Sequence, residues 1–151
     1  MPKTIQQTVI LPAPAQKLFD MYLSPKIHGE ITGGPVTISR TTGSRFRAFG
    51  GMITGKTLQI VPKRLIIQSW RGKDWIPEDV DSTLILSFWP DKDGGRIELV
   101  HVNVPEYDYN GVNEGWDKYY WKPWREYLRK KESGVKLAKA ASRNSPDVVG
   151  C

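Results

Sequence analysis

The chain has 151 residues, 39% hydrophobic and 25% charged, with a formal net charge of +6; that is the size and balance of one globular domain and too little chain for two ordinary ones. No stretch of about 18 apolar residues occurs, which excludes a membrane-spanning helix. The lone cysteine, Cys151, has no partner within the chain, which excludes an internal disulfide and a cysteine-based zinc site.

Residues 1–8 carry Lys3 and then Gln6 and Gln7 in place of an apolar stretch, so no secretory signal is predicted and a cytoplasmic location is expected. Residues 4–11 are rich in β-formers and stop at Pro12, which predicts a first strand. Pro14 then opens a segment in which Leu18, Phe19, Tyr22 and Leu23 share one helical stripe, a short amphipathic helix with proline in its first turn. Ser24 before Pro25 reads as a break and a new N-cap, so a second short helix is predicted over residues 26–31, ending at the turn 32–35.

From Val36 to Val104, β-branched and aromatic residues alternate with glycine and proline punctuation, the pattern of antiparallel strands joined by short turns. Strands are predicted over residues 35–40, 45–49, 52–61, 65–71, 82–89 and 96–104, with turns at Gly50-Gly51, at Pro62-Lys63 and over residues 91–95. Alternation puts Leu84, Leu86 and Phe88 on one side of their strand, and Ile97, Leu99, His101 and Asn103 on one side of theirs. The cover for that face is a long helix over residues 112–131, where Trp116, Tyr119, Tyr120, Pro123, Trp124, Tyr127 and Leu128 recur at helical spacing. Pro123 lies inside it and removes a backbone donor, which predicts a bend near Tyr119 and Tyr120.

The positive charge gathers at the end of the chain. Arg129, Lys130, Lys131, Lys136, Lys139 and Arg143 outweigh Glu132 and Asp147, as suits a helix C-terminus and a solvated tail better than a specific nucleic-acid surface. The domain is expected to span residues 1–132, with residues 133–151 a basic, flexible tail poor in large apolar groups.

The chemistry-bearing motifs are sparse. His28 and His101 stand apart, with no metal-ligand spacing around either, so neither a metal nor a cofactor is expected. His101 alternates with Ile97 and Leu99 and is read as facing an internal cavity, where its ring meets either a ligand or another side chain. No nucleophile elbow and no phosphate loop are present; Gly50-Gly51 and Gly55 are read as a sheet bend or bulge. Asp74, Glu78, Asp79 and Asp81 cluster around Trp75 and Pro77 and are read as a solvated loop before a catalytic edge. Trp116, Tyr120 and Trp124 either close the core or stack on a flat apolar ligand, while Trp70 and Trp75 are assigned to surface or loop packing.

The order of strand, two short helices, strand meander and long C-terminal helix is similar to the START-like superfamily, the helix-grip fold. Finer strings carry the resemblance further: Phe46 through Gly55, Val61-Pro62, Ile67 through Arg71, Trp75 and Ser82, His101 through Pro105, Gly115-Trp116 and Tyr119-Tyr120-Trp121. From about Gln7 to Leu128 the chain resembles the activator of heat-shock-protein-90 ATPase homologue family. The resemblance implies an α+β domain whose curved antiparallel sheet of about seven strands grips the long helix around a cavity. It also implies a binding module that holds a small apolar molecule, with Phe46, Leu84, Leu86, Phe88, Leu99, His101, Trp116, Tyr119, Tyr120 and Trp124 as the cavity candidates. Two alternatives accompany it. One is a cyclase- or dehydratase-like enzyme drawing on His101, Asn103, Tyr119 or Tyr120. The other is a chaperone-associated stress-response protein; nothing in this chain matches the additional N-terminal domain of the family's full-length cochaperones, so weak activation of a chaperone is expected.

Overall fold

The computed structural model describes residues 1–132. The expected basic tail over residues 133–151 lies outside the described residues. Strand β1 (Lys3–Leu11) is followed by helices α1 (Ala15–Leu23) and α2 (Pro25–Thr32), then by β2 (Arg45–Ala48), β3 (Ile53–Val61), β4 (Leu65–Gly72), β5 (Ser82–Asp91) and β6 (Gly94–Val104). The strands form one antiparallel sheet in the order β1-β6-β5-β4-β3-β2.

The sheet has six strands where seven were expected. Residues 35–40 do not form a strand: Thr37 bridges Arg47 through a pair of backbone hydrogen bonds and the pairing goes no further. Pro35 has no donor to extend it on one side, and Ser39 on the other is turned into a loop by its hydroxyl contacts with Ser44 and the Thr41 amide.

Ser24 caps α2 as its position before Pro25 predicts: its Oγ accepts from the Ile27 amide at 3.2 Å, and Gly33 closes the helix in the left-handed conformation at φ 83°. Between β2 and β3 the chain turns through Phe49, Gly50 and Gly51, all three with positive φ (53°, 65° and 95°). The two glycines adopt this freely and Phe49 does not, a strain of about 1 kcal/mol.

One face of the sheet is closed by alternating apolar residues, with Leu84, Leu86 and Phe88 of β5 opposite His101, Leu99 and Ile97 of β6 and all six buried. On β6 the alternation breaks at Asn103. Its backbone is left-handed at φ 68°, its side chain turns toward the carbonyls of Val80 and Asp81, and Val104 is the residue that packs inward. Asn103 therefore leaves the face it was expected to share with His101.

The C-terminal helix begins as α3 (Tyr109–Trp116), widens into a π-helical turn over Asp117–Trp121, and continues over residues 122–132. The predicted bend takes this form. Pro123 lacks an amide hydrogen and its ring crowds the carbonyl four residues earlier, that of Tyr119; the extra residue in the turn relieves both, with the Lys122 amide reaching back to the Asp117 carbonyl.

Candidate functional site: an aromatic cleft beneath the C-terminal helix

A cleft of about 660 Å³ opens between the C-terminal helix and the β2–β3 and β4–β5 connections. Trp70 from the end of β4, Trp116 and Tyr120 from the C-terminal helix, and Phe49 and Trp75 from the two connections supply its aromatic lining. Trp116 and Tyr120 pack with ring centroids 4.7 Å apart, and Phe49 meets Tyr119 and Tyr120 edge-on at 5.6 and 6.0 Å. The strained backbone at Phe49 thus delivers a ring to the cleft. Gly111 and Gly115 expose the helix backbone to the cleft.

Behind this lining runs a chain of hydrogen bonds centred on His101, which is fully buried. Trp116 Nε1 donates to His101 Nδ1 at 3.2 Å, so the ring proton sits on Nε2, which donates to Ser82 Oγ at 2.8 Å; Ser82 in turn donates to the Trp70 carbonyl at 2.6 Å. Burial pushes the His101 pKa down to about 3, so the imidazole is neutral at physiological pH. A second chain anchors the helix pair. His28 Nδ1 donates to the Tyr22 carbonyl at 2.8 Å, its Nε2 accepts from Tyr120 Oη at 2.9 Å, and Tyr22 Oη donates to Gln68 Oε1 at 2.7 Å. Burial lowers the His28 pKa to about 4 against the opposing pull of the Tyr22 carbonyl, and raises the pKa of Tyr120 and of Tyr22, the latter helped by Tyr120.

The structure divides the ten cavity candidates. Trp116, Tyr119 and Tyr120 line the cleft, Tyr119 at its mouth with 46% of its surface exposed. Phe46, Leu84, Leu86, Phe88, Leu99 and Trp124 pack into the closed core, and His101 stands one layer behind the lining. Both of its ring nitrogens are engaged by side chains of the chain itself, Ser82 and Trp116. Sequence reasoning assigned Trp70 and Trp75 to surface or loop packing; both are buried, at 5% and 6% exposure, and both line the cleft, Trp70 from strand β4 and Trp75 from the loop that follows it. The signal for Trp70 was present, because it alternates with the buried Ile66 and Gln68 on β4. Phe49, Met52 and Trp75 belong to connections, where periodicity carries no such information.

The acidic segment between β4 and β5 is an organised loop. Arg71 donates to the carbonyls of Ile76 and Asp79 and pairs with Asp81 at 3.1 Å, while Asp79 accepts from the Ile76 amide and from the Tyr107 hydroxyl. Trp75 Nε1 donates to Asp108 Oδ2 at 2.7 Å and so ties this loop to the start of the C-terminal helix across the cleft. Among the described residues no three His, Cys, Asp or Glu side chains gather as metal ligands would, and no helix is long and apolar enough to cross a membrane.

A curved antiparallel sheet that holds a long C-terminal helix against a cleft defines a helix-grip protein. The chain belongs to the family described as "Activator of Hsp90 ATPase homolog 1-like protein", which its residues 12–129 match. The human activator of 90 kDa heat shock protein ATPase homolog 1 is 24% identical over 105 residues, covering 70% of this chain and 31% of that protein; the Dictyostelium discoideum homologue is 26% identical over 101 residues, covering 66% and 26%. The chain thus spans about a third or less of the length of these relatives. Among solved structures, an Hsp90 activator from Plasmodium falciparum superposes with a TM-score of 0.75 at 22% identity, covering 83% of this chain and 95% of that one. The Aha1 dimer of Colwellia psychrerythraea gives 0.68 at 14% identity, covering 80% and 92%. At these identities the likeness is one of fold.

Proposed function

We propose that this chain is a noncatalytic binding module of the Hsp90-activator-homologue type, whose aromatic cleft takes a small flat apolar molecule. The observation that carries the reading is the cleft itself: a space of about 660 Å³, within the range of small-molecule sites, walled by rings and bordered by a few polar groups. Its two neighbouring histidines are neutral and hydrogen-bonded on both nitrogens, which favours binding over proton transfer and so disfavours the cyclase- or dehydratase-like alternative.

The test is native mass spectrometry of the full chain purified gently from its own cells, followed by mapping of the released molecule back onto labelled protein by NMR. A retained small molecule that perturbs the resonances of Phe49, Trp116 and Tyr120 is the expected result. A molecule that perturbs only surface residues remote from the cleft would overturn the reading.

A chaperone partner is the second reading, and family membership is what favours it. Co-sedimentation with an Hsp90 chaperone and a coupled ATPase assay test it. Binding is the expected result; absence of both binding and stimulation would remove the chaperone from the account.

A further inference from the structure

Positive charge is concentrated in a second place besides the end of the chain. Residues 31–73 contain eight Lys and Arg and no Asp or Glu, and they include all of β2, β3 and β4. In β2 and β3, alternation sends Phe46, Ala48 and Thr57 into the buried face of the sheet and leaves Arg45, Arg47, Thr54 and Lys56 exposed on the opposite, outer face. None of these four lines the cleft.

The sheet register gathers the cations. Arg45 stands directly opposite Lys56, and Arg47 opposite Thr54, which in turn faces Arg71 on β4. The amide and carbonyl of Arg47 both bond Thr37, on the side of β2 away from β3. Arg47, and Arg45 two residues before it, therefore form non-hydrogen-bonded pairs with β3, the kind in which facing side chains stand closest. Like charges directly opposite one another on a sheet are unfavourable. Among the neighbouring cations, Arg40 pairs with Asp20, Arg71 pairs with Asp81, and Arg64 lies over the Trp89 ring. Arg45, Arg47 and Lys56 have no ion-pair partner among the described residues.

We propose that the outer face of β2–β4 docks an extended acidic segment of a partner protein, with Arg45, Arg47 and Lys56 as the groups that receive its carboxylates. Alternate side chains of an extended chain lie on one side at a spacing of about 7 Å, which is also the spacing of Arg45 and Arg47 along β2. Carboxylates two residues apart therefore meet both guanidinium forks, whose geometry suits a carboxylate, while Lys56 stands beside Arg45 as a further positive charge. A second copy of this chain is a poor occupant, because the face presented to itself sets cation against cation. The surrounding outer positions on β4, β5 and β6 are Ser69 and Thr83 in one row and Ile67, Ile85 and Val100 in the next. Hydroxyl and aliphatic groups of this kind suit a protein partner, whereas single-stranded nucleic acid draws on aromatic rings for stacking.

The experiment titrates the labelled full chain, at about 0.15 M salt, with a peptide of alternating Glu and Thr about ten residues long, whose carboxylates share one side when extended. The native chain is compared with Arg45→Gln/Lys56→Gln and with Lys17→Gln/Lys130→Gln, which removes the same charge from exposed helix positions. The peptide should shift the NMR resonances of Arg45, Arg47 and Lys56, and bind the first variant about three- to tenfold more weakly than the native chain. The second variant should bind within about twofold of the native chain. Should the first variant fail to fold, the shift map of the native chain decides the matter. Equal weakening in both variants, no binding, or shifts confined to other residues would overturn the proposal. Tighter binding at the same three residues by an oligothymidylate of equal length, or by vesicles containing phosphatidylserine, would overturn the assignment of a protein partner.

Discussion

The indole nitrogen of Trp116 donates to His101 Nδ1 across 3.2 Å, and this one contact determines both the tautomer of the imidazole and its role. With Nδ1 accepting, Nε2 must donate to Ser82, and the C-terminal helix is joined through β6 to β5 and the end of β4. His101→Ala would leave the Trp116 donor unpaired and open a cavity. The expected cost is about 2 to 4 kcal/mol, read as a lower melting temperature with or without any ligand. An unchanged melting temperature would show that the hydrogen-bond chain is dispensable.

Acid should destabilise this fold through its two buried histidines. His28 and His101 have folded pKa values near 4 and 3, depressed by burial from the ordinary value of about 6.5 in an unfolded chain. Each contributes stability in full above pH of about 6.5, and loses it as the pH falls toward the folded pKa because the unfolded state takes the proton first. With both titrating, the loss is on the order of 2 to 3 kcal/mol per pH unit between roughly pH 6 and 5. Thermal melts across that range should show a steep decline that becomes shallower in His28→Gln; a flat profile from pH 7 to 5 would contradict the burial of both rings.

Gly115 offers a way to close the cleft without disturbing the core. A Cβ built there would lie 3.5 Å from the Tyr119 ring, an ordinary contact, and Gly115→Ala should stabilise the helix by up to about 1 kcal/mol. Gly115→Leu should project into the cleft. Calorimetric titration with acetylnaphthalene is expected to show tenfold weaker binding or worse for leucine, at a melting temperature no lower than that of the native chain. Undiminished binding would place the ligand elsewhere.

The link between Trp75 and Asp108 should govern the mobility of the β4–β5 loop. Asp108→Ala removes the acceptor for the Trp75 indole and should cost about 1 to 3 kcal/mol. Hydrogen exchange is expected to accelerate over residues 73–81, whereas the Arg71 contacts keep the base of the loop in place. Uniform acceleration across the sheet would mean that the bond supports the whole fold.

Much of the architecture was legible in local pattern. Alternation on β5 and β6, proline at the start of α1, Ser24 before Pro25 and the aromatic stripe of the last helix each report a backbone period or a missing donor, and those are properties of short stretches of chain. The effect of Pro123 was legible in its position, though not its form as a π-helical turn in which the Lys122 amide reaches the Asp117 carbonyl. The seventh strand was misread because residues 35–40 have strand composition, while a strand also needs a partner along its length, and here Thr37 finds one only at Arg47.

The cleft belongs to the tertiary structure. Trp70 and Trp116 are far apart in sequence and come within 6.5 Å between ring centroids because β4 and the C-terminal helix pack against one another. Phe49 and Trp75 join them from connections, where side-chain direction follows from individual dihedral angles and long-range hydrogen bonds. The same holds for His101: alternation places it on the inner face, but its being a satisfied member of the core required Ser82 and Trp116 to arrive from two other elements. A sequence states which residues are able to donate, accept or stack, and only the packed chain decides which of them meet, as His101 meets Ser82 and Trp116.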